Sequence, residues 1–189
     1  MNGLVLTGGS SSRMGRPKCL LEYQGAPQYR RAAELLSPVC ENVWLSCRDE
    51  QKNWFSGFDW VLDQPAYGEI GPMNGLLSAF DLQPDTPWFV LGCDYPLLTH
   101  SEIEQLISER NPQQIATVFA SADNSGPEPL IGIYEPSAAT LLQDAWQSGQ
   151  DSLRRILDAH RAMKIVARHP EHLLSVDTPE AYQRIQKGM

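Results

Sequence analysis

The chain has 189 residues, 42% of them apolar and 20% charged, with 23 acidic against 15 basic side chains and a formal net charge of -8. That length suits one domain over residues 1–189 with a sizeable core, and the composition excludes a disordered chain. The acidic balance argues against nucleic acid or an anionic membrane as the main partner.

Residues 4–6 open the chain as a short apolar run and predict a buried first strand. Residues 7–18 then leave the strand as a loop. Gly8, Gly9 and Gly15 let the backbone bend and approach a ligand closely. Ser10, Ser11 and Ser12 add hydroxyl donors, and Arg13 and Lys18 add positive charge. Together they read as a cradle for a polyphosphate. The spacing matches neither Walker A nor G-x-G-x-x-G.

Residues 19–23 read as a small extended piece before a turn at Gln24-Gly25. A helix follows over 27–36, with Pro38 past its end. Residues 43–47 predict a second strand, 50–55 a short helix, and 60–62 a third strand ending at Asp63. The Gly- and Pro-rich stretch 64–75 opens a helix over about 73–80. Residues 88–93 form a continuous apolar run, which suits a central parallel strand. It ends at Asp94, which in isolation reads as a turn-former. Ser101 and Glu104 are spaced as a capping box for the next helix, with Ile103, Leu106 and Ile107 as its apolar stripe.

Residues 115–120 predict a strand and 121–128 a polar loop. Residues 130–134 predict a strand reached by reversal of direction. Helices follow near 137–147 and 152–160, then a late strand at 164–166. Thr178 and Pro179 are placed as N-cap and first residue of a last helix. Strands alternate with helices, so the fold class is α/β, a mostly parallel sheet covered on both faces. Ligands bind such sheets outside the carboxyl ends of the strands.

The four cysteines, Cys19, Cys40, Cys47 and Cys93, form no C-x-x-C pattern and read as thiols of a reducing cytoplasm. No segment is apolar enough to span a bilayer, and the first apolar run is too short for a signal peptide. His100, His160, His169 and His172 form no ligand pattern.

Gly8-Gly9-x-x-x-Arg13-Met14-Gly15-x-Pro17-Lys18 resembles the N-terminal loop of the nucleotidyltransferases with a three-layer Rossmann-like fold. That group includes sugar-phosphate nucleotidylyltransferases and the enzymes that attach GMP or CMP to molybdopterin. Cys93-Asp94-Tyr95-Pro96 resembles its metal-binding aspartate element, Gly71-Pro72-Met73-Asn74-Gly75 its G-P-L-x-G stretch, and Asp177-Thr178-Pro179-Glu180 its late D-T-P-E element. The resemblance implies a nucleotidyltransferase with Arg13, Lys18 and Asp94 as catalytic residues. It implies Leu6, Thr7, Gly8, Gly9, Lys18, Ser46, Asp63, Gly71, Gly75 and Asp94 around the nucleotide, and Mg²⁺ on Asp94 and Asp177. Asp63 reads equally as the end of a strand, and Asp177 as a helix N-terminal residue stabilised by the dipole.

On the acceptor side the resemblance points to residues 127–130 and 152–155. There Arg154 and Arg155 read first as solvated helix residues. The implied reaction moves GMP from GTP to molybdopterin and releases pyrophosphate. Thr7 stands where relatives carry Ala, and Ser46 where guanylyltransferases carry Asn. Pro17 and Asp177 lean toward cytidylyltransferases, whereas Gly71-Pro72 leans toward GTP. The alternatives are a CTP:molybdopterin or sugar-phosphate nucleotidyltransferase, or a nucleotide-binding module without turnover.

Overall fold

Leu4, Val5 and Leu6 lie in β1 (Asn2–Leu6), all five residues of which are buried. The structure, a computed structural model, describes residues 1–8, 15–121 and 126–188. After β1 come a 3-10 turn (Lys18–Leu20) and a hairpin of β2 (Glu22–Tyr23) and β3 (Ala26–Pro27). The hairpin turns at Gln24 and Gly25, both at positive φ (51° and 80°). Next are α1 (Gln28–Leu36), β4 (Val43–Cys47), a 3-10 helix (Asp49–Trp54) and β5 (Asp59–Leu62). A 3-10 turn (Pro65–Tyr67) leads to α2 (Pro72–Leu82), β6 (Trp88–Gly92) and α3 (His100–Ser108). The chain continues through β7 (Ala116–Ala120), β8 (Pro127–Tyr134), α4 (Ala138–Gln147), α5 (Leu153–Ala159) and β9 (Met163–Ile165). A 3-10 helix (Pro170–Leu173) and α6 (Pro179–Gly188) complete it.

The main sheet has the order β5-β4-β1-β6-β8-β7-β9. It is parallel except at β8, which runs antiparallel to both β6 and β7. The reversal expected before residue 130 is therefore present. Side chains alternate across the pleat and divide the core in two. Val5, Leu45, Phe89, Leu91, Ile131 and Ile133 face the layer of α1 and α3, where Leu36, Ile103 and Leu106 meet them. Leu4, Leu6, Trp88, Val90 and Val118 face the opposite layer, against Met73, Leu76, Phe80, Leu142 and Ile156. The sheet thus has helices on both faces, as the alternating pattern predicts.

Three local expectations shift. The 19–23 stretch begins as a 3-10 turn before the hairpin. The capping box of α3 lies two residues earlier than predicted: Thr99 is the N-cap, and its N–H donates to Glu102 Oε2 at 2.9 Å. Glu102 is consequently buried, and Ile107 sits at the exposed edge of the helix. The late strand ends at Ile165, leaving Val166 exposed.

The last helix is placed by contacts with the early hairpin. Tyr182 packs edge-on against Tyr23, with centroids 5.3 Å apart. Tyr182 and Gln186 both donate to Glu22 O. Thr178 Oγ1 accepts from Ala181 N at 3.2 Å, as expected of a cap. Docking α6 there brings Asp177 back to the first loop of the chain.

Candidate active site

Register brings three strand ends to one rim. Leu6 lies opposite Ser46 on one side and Gly92 on the other. Thr7 follows Leu6, and both its N–H (3.1 Å) and its hydroxyl (2.6 Å) donate to Ser46 O. Asp63 follows β5 and donates its N–H to Cys47 O at 3.0 Å. Beyond these ends lies a cavity of about 750 Å³. Its lining includes Leu6, Thr7, Gly8, Lys18, Ser46, Asp63, Gly71 and Asp94. Eight of the sequence-predicted site positions therefore share one cavity, where open α/β sheets place their ligands.

Lys18 is the electrostatic centre. Its Nζ lies 3.1 Å from Asp94 Oδ2 and also pairs with Asp177 Oδ1. Val176 N donates to Asp94 O at 2.7 Å, which fixes the approach of the Asp177 segment. Burial opposes the charge on Lys18, but its bonds to Asp177 and Asp94 outweigh burial and hold the ammonium above its ordinary range. Burial raises the Asp94 carboxyl above the usual carboxylate range, against the opposing pull of Lys18. Two carboxylates thus share one cation in a half-buried setting.

The far side of the cavity is built differently. Ser46 Oγ donates to Asp63 Oδ1 at 2.9 Å. Burial raises the Asp63 carboxyl despite that bond and the nearby charge of Arg48. Arg48 itself pairs with Glu69 at 2.8 Å, and both line the cavity. Gly71, at φ 61°, turns the chain into α2 with Pro72 as the first helical residue.

Gly75 is not among the residues lining the cavity. It is buried in α2, where a Cβ would overlap Ser46 Oγ and reach Leu6 Cδ2 at 3.0 Å. Close packing of α2 on β1 and β4 accounts for this glycine. Gly9 and Arg13, with Ser10, Ser11 and Ser12, lie outside the described residues. Arg154 and Arg155 are exposed on α5. Leu130, from the acceptor-side stretch, lines the cavity.

The sequence pattern left Asn74 as the variable position of its motif and did not single out Arg48 or Glu69. Asn74 is buried and holds the segment 64–68 by its carboxamide. An amide three residues into a helix that follows a Gly-rich loop was the available signal.

Among the described residues, no three His, Cys, Asp or Glu side chains gather as a metal-ligand group. Asp94 and Asp177 nonetheless converge on one cation, the ammonium of Lys18. Their hard oxygens fit a divalent ion that completes its shell with phosphate and water. No described helix is long and apolar enough to cross a membrane.

Strand ends thus converge on a polar cavity with a lysine and two carboxylates at one side. Residues 3–164 match the family described as "MobA-like NTP transferase domain", and the chain belongs to that family. It is 34% identical over 97% of its length to a Synechocystis protein named "Molybdenum cofactor biosynthesis bifunctional protein", and spans 53% of that protein. It is 29% identical to a "Probable molybdenum cofactor guanylyltransferase" of Synechococcus elongatus, covering 97% of this chain and 96% of that one. In fold it is similar to the crystal structure of a molybdopterin-guanine dinucleotide biosynthesis protein A from Archaeoglobus fulgidus. That match has a TM-score of 0.80 at 20% identity, over 99% of this chain and 97% of that one.

Proposed function

We propose that the chain transfers GMP from GTP to the terminal phosphate of molybdopterin and releases pyrophosphate, with Mg²⁺ as cofactor. The observation that carries the proposal is the Lys18 ammonium held between Asp94 and Asp177 at one end of the strand-end cavity. Relatives over nearly the whole chain, named as guanylyltransferases, support GTP and molybdopterin as the substrates. The four free thiols support a reducing, cytoplasmic setting.

An oxygen of the acceptor phosphate attacks the α-phosphorus of GTP. The bond from that phosphorus to the oxygen bridging to the β-phosphate breaks, and its electron pair leaves on pyrophosphate. The acceptor phosphate is already ionised, so no general base is required. Catalysis is positioning plus stabilisation of charge. Lys18, an ammonium in the cavity wall, balances phosphate charge. Gly8, in the cavity wall, offers backbone close to the phosphates; the resemblance assigns Gly9 to the phosphates as well, and Arg13 to the charge that develops on them. Asp94 and Asp177 would hold Mg²⁺, which when bound neutralises charge on the α-phosphate and the leaving group. Ser46, Asp63 and Gly71 are left for the nucleoside.

Thermal stabilisation by GTP, CTP, ATP and UTP, each with Mg²⁺, tests the proposal, because a ligand of the native state raises the melting temperature. A shift selective for GTP is expected. A shift selective for CTP would assign the chain to cytidylyl transfer, and no shift with any triphosphate would overturn the proposal.

A further inference from the structure

We infer that Asn74 is a positioning residue for the nucleoside half of the substrate, acting through the segment that follows Asp63. The inference rests on the nucleotide-transfer reading above.

Asn74 is the third residue of α2 and is 6% exposed. Helical side chains lean toward the helix N-terminus, so its carboxamide lies over the segment entering the helix. Oδ1 accepts from Gln64 N at 2.8 Å and from Ser78 Oγ at 3.0 Å. Nδ2 donates to Gln64 O and to Gly68 O, each at 3.0 Å. A carboxamide has two donors and an acceptor with two lone pairs, and here all four positions are used. Three of the four bonds go to the backbone of one five-residue stretch, 64–68.

Tyr67 anchors the middle of that stretch: it is buried, its hydroxyl donates to Asp81 Oδ2 at 2.6 Å, and its ring meets Trp146 edge-on at 5.0 Å. Trp146 Nε1 donates to Tyr67 O at 3.2 Å, and Ser78 Oγ also accepts from Gln64 N at 3.1 Å. Gly68 and Gly71 both sit at positive φ, where glycine leaves the backbone many alternatives. The carboxamide fixes the Gln64 and Gly68 ends of the stretch. The segment so held is a cavity wall: Gln64, Pro65, Gly68 and Glu69 line it, directly after Asp63. Lys18 and Asp94 stand at the phosphate end, so this wall faces the nucleoside. A wall ordered before binding spares the ligand the entropy of ordering it. A side chain without donors leaves Gly68 O without its partner and Gln64 O with Tyr67 N alone.

The test compares the wild-type protein with Asn74→Asp, which keeps the shape and loses both donors, and with Asn74→Ala. Calorimetry measures the affinity for GTP·Mg²⁺ and, separately, for pyrophosphate·Mg²⁺, which lacks the nucleoside. Amide hydrogen exchange is followed over residues 64–71. In both variants exchange is expected to rise there. The dissociation constant for GTP should rise about tenfold or more. That for pyrophosphate should stay within about twofold of wild type, by the same argument. A general structural role would weaken both ligands together, and that result, or unchanged GTP affinity in a folded variant, overturns the inference. Should neither variant fold, Ser78→Ala removes one bond from Oδ1 and is expected to show the same split at smaller size. An unaltered GTP affinity and exchange rate in it would overturn the inference. Wild-type protein that binds pyrophosphate but no nucleoside triphosphate would overturn the functional reading itself, while the exchange data would still judge the clamp.

Discussion

The Lys18 ammonium lies 3.1 Å from Asp94 Oδ2 although 76 residues separate the two in sequence. One residue follows the first loop of the chain and the other lies two residues past the end of β6. The same ammonium meets Asp177, 159 residues away, at the entry to α6. Both ends of the chain and its central strand thus converge on one charge.

Removing that charge should stop turnover. Lys18→Met takes away the cation and leaves Asp94 and Asp177 facing each other as like charges. Pyrophosphate release is expected to fall about 100-fold or more, the scale of losing one preorganised charge donor. Lys18→Arg should restore only part of it, because a planar fork does not replace a point charge. Undiminished release by Lys18→Met would remove that residue from the mechanism.

Glu102 predicts how stability responds to acid. Burial opposes its charge, but hydrogen bonds from Thr99 and the contact with His172 (3.1 Å) outweigh burial and lower its carboxyl below the ordinary value of 4.5. The unfolded chain therefore binds more protons than the folded one as pH falls through that value. The stability from this group is present above 4.5 and is lost as pH falls through the folded value. Urea unfolding between pH 7 and pH 3 should show a shallower acid loss in Glu102→Gln than in the wild type. Equal slopes would contradict the assignment.

Gly75→Ala should destabilise by about 1–3 kcal/mol, since it overpacks the contact between α2 and β4. Ser46→Gly in the same chain removes the overlapping atoms and should recover part of the loss. The two changes are then non-additive, as expected of residues in contact. Additive denaturation midpoints would refute the packing account of this glycine.

Arg110 and Glu135 form a two-pronged pair, Nε to Oε1 and Nη2 to Oε2, both at 2.7 Å, with the Glu135 side chain only 4% exposed. Arg110→Met leaves a buried carboxylate unpaired and should cost roughly 3–5 kcal/mol. Arg110→Met combined with Glu135→Met should recover most of it. Neither residue lines the cavity, so GTP affinity should hold in the double variant. A mild effect of the single change would show that the pair contributes little.

Much of the fold was readable because its strands are short, apolar and sharply bounded. The run before Thr7 became a central strand parallel to both neighbours, the run before Asp94 a central strand parallel to β1 and antiparallel to β8, and the polar residues at their ends met at the cavity. The start of α3 was harder. Thr99 with Glu102 and Ser101 with Glu104 fit the same capping pattern, and only tertiary packing of Glu102 on His172 decides between them. Gly75 packs tightly against Ser46 and Leu6, a demand the sequence does not show because motif and packing glycines look alike there. The carboxamide of Asn74 escaped notice because its partners are backbone groups, which carry no residue identity.

The most direct measurement follows the α-phosphate itself. GTP labelled at that phosphate is incubated with the purified protein, Mg²⁺ and molybdopterin, and the products are separated. The account predicts label in a pterin dinucleotide, with one pyrophosphate released for each label transferred. Label that stays in GTP under these conditions, while label from CTP moves to the pterin, would contradict guanylyl transfer.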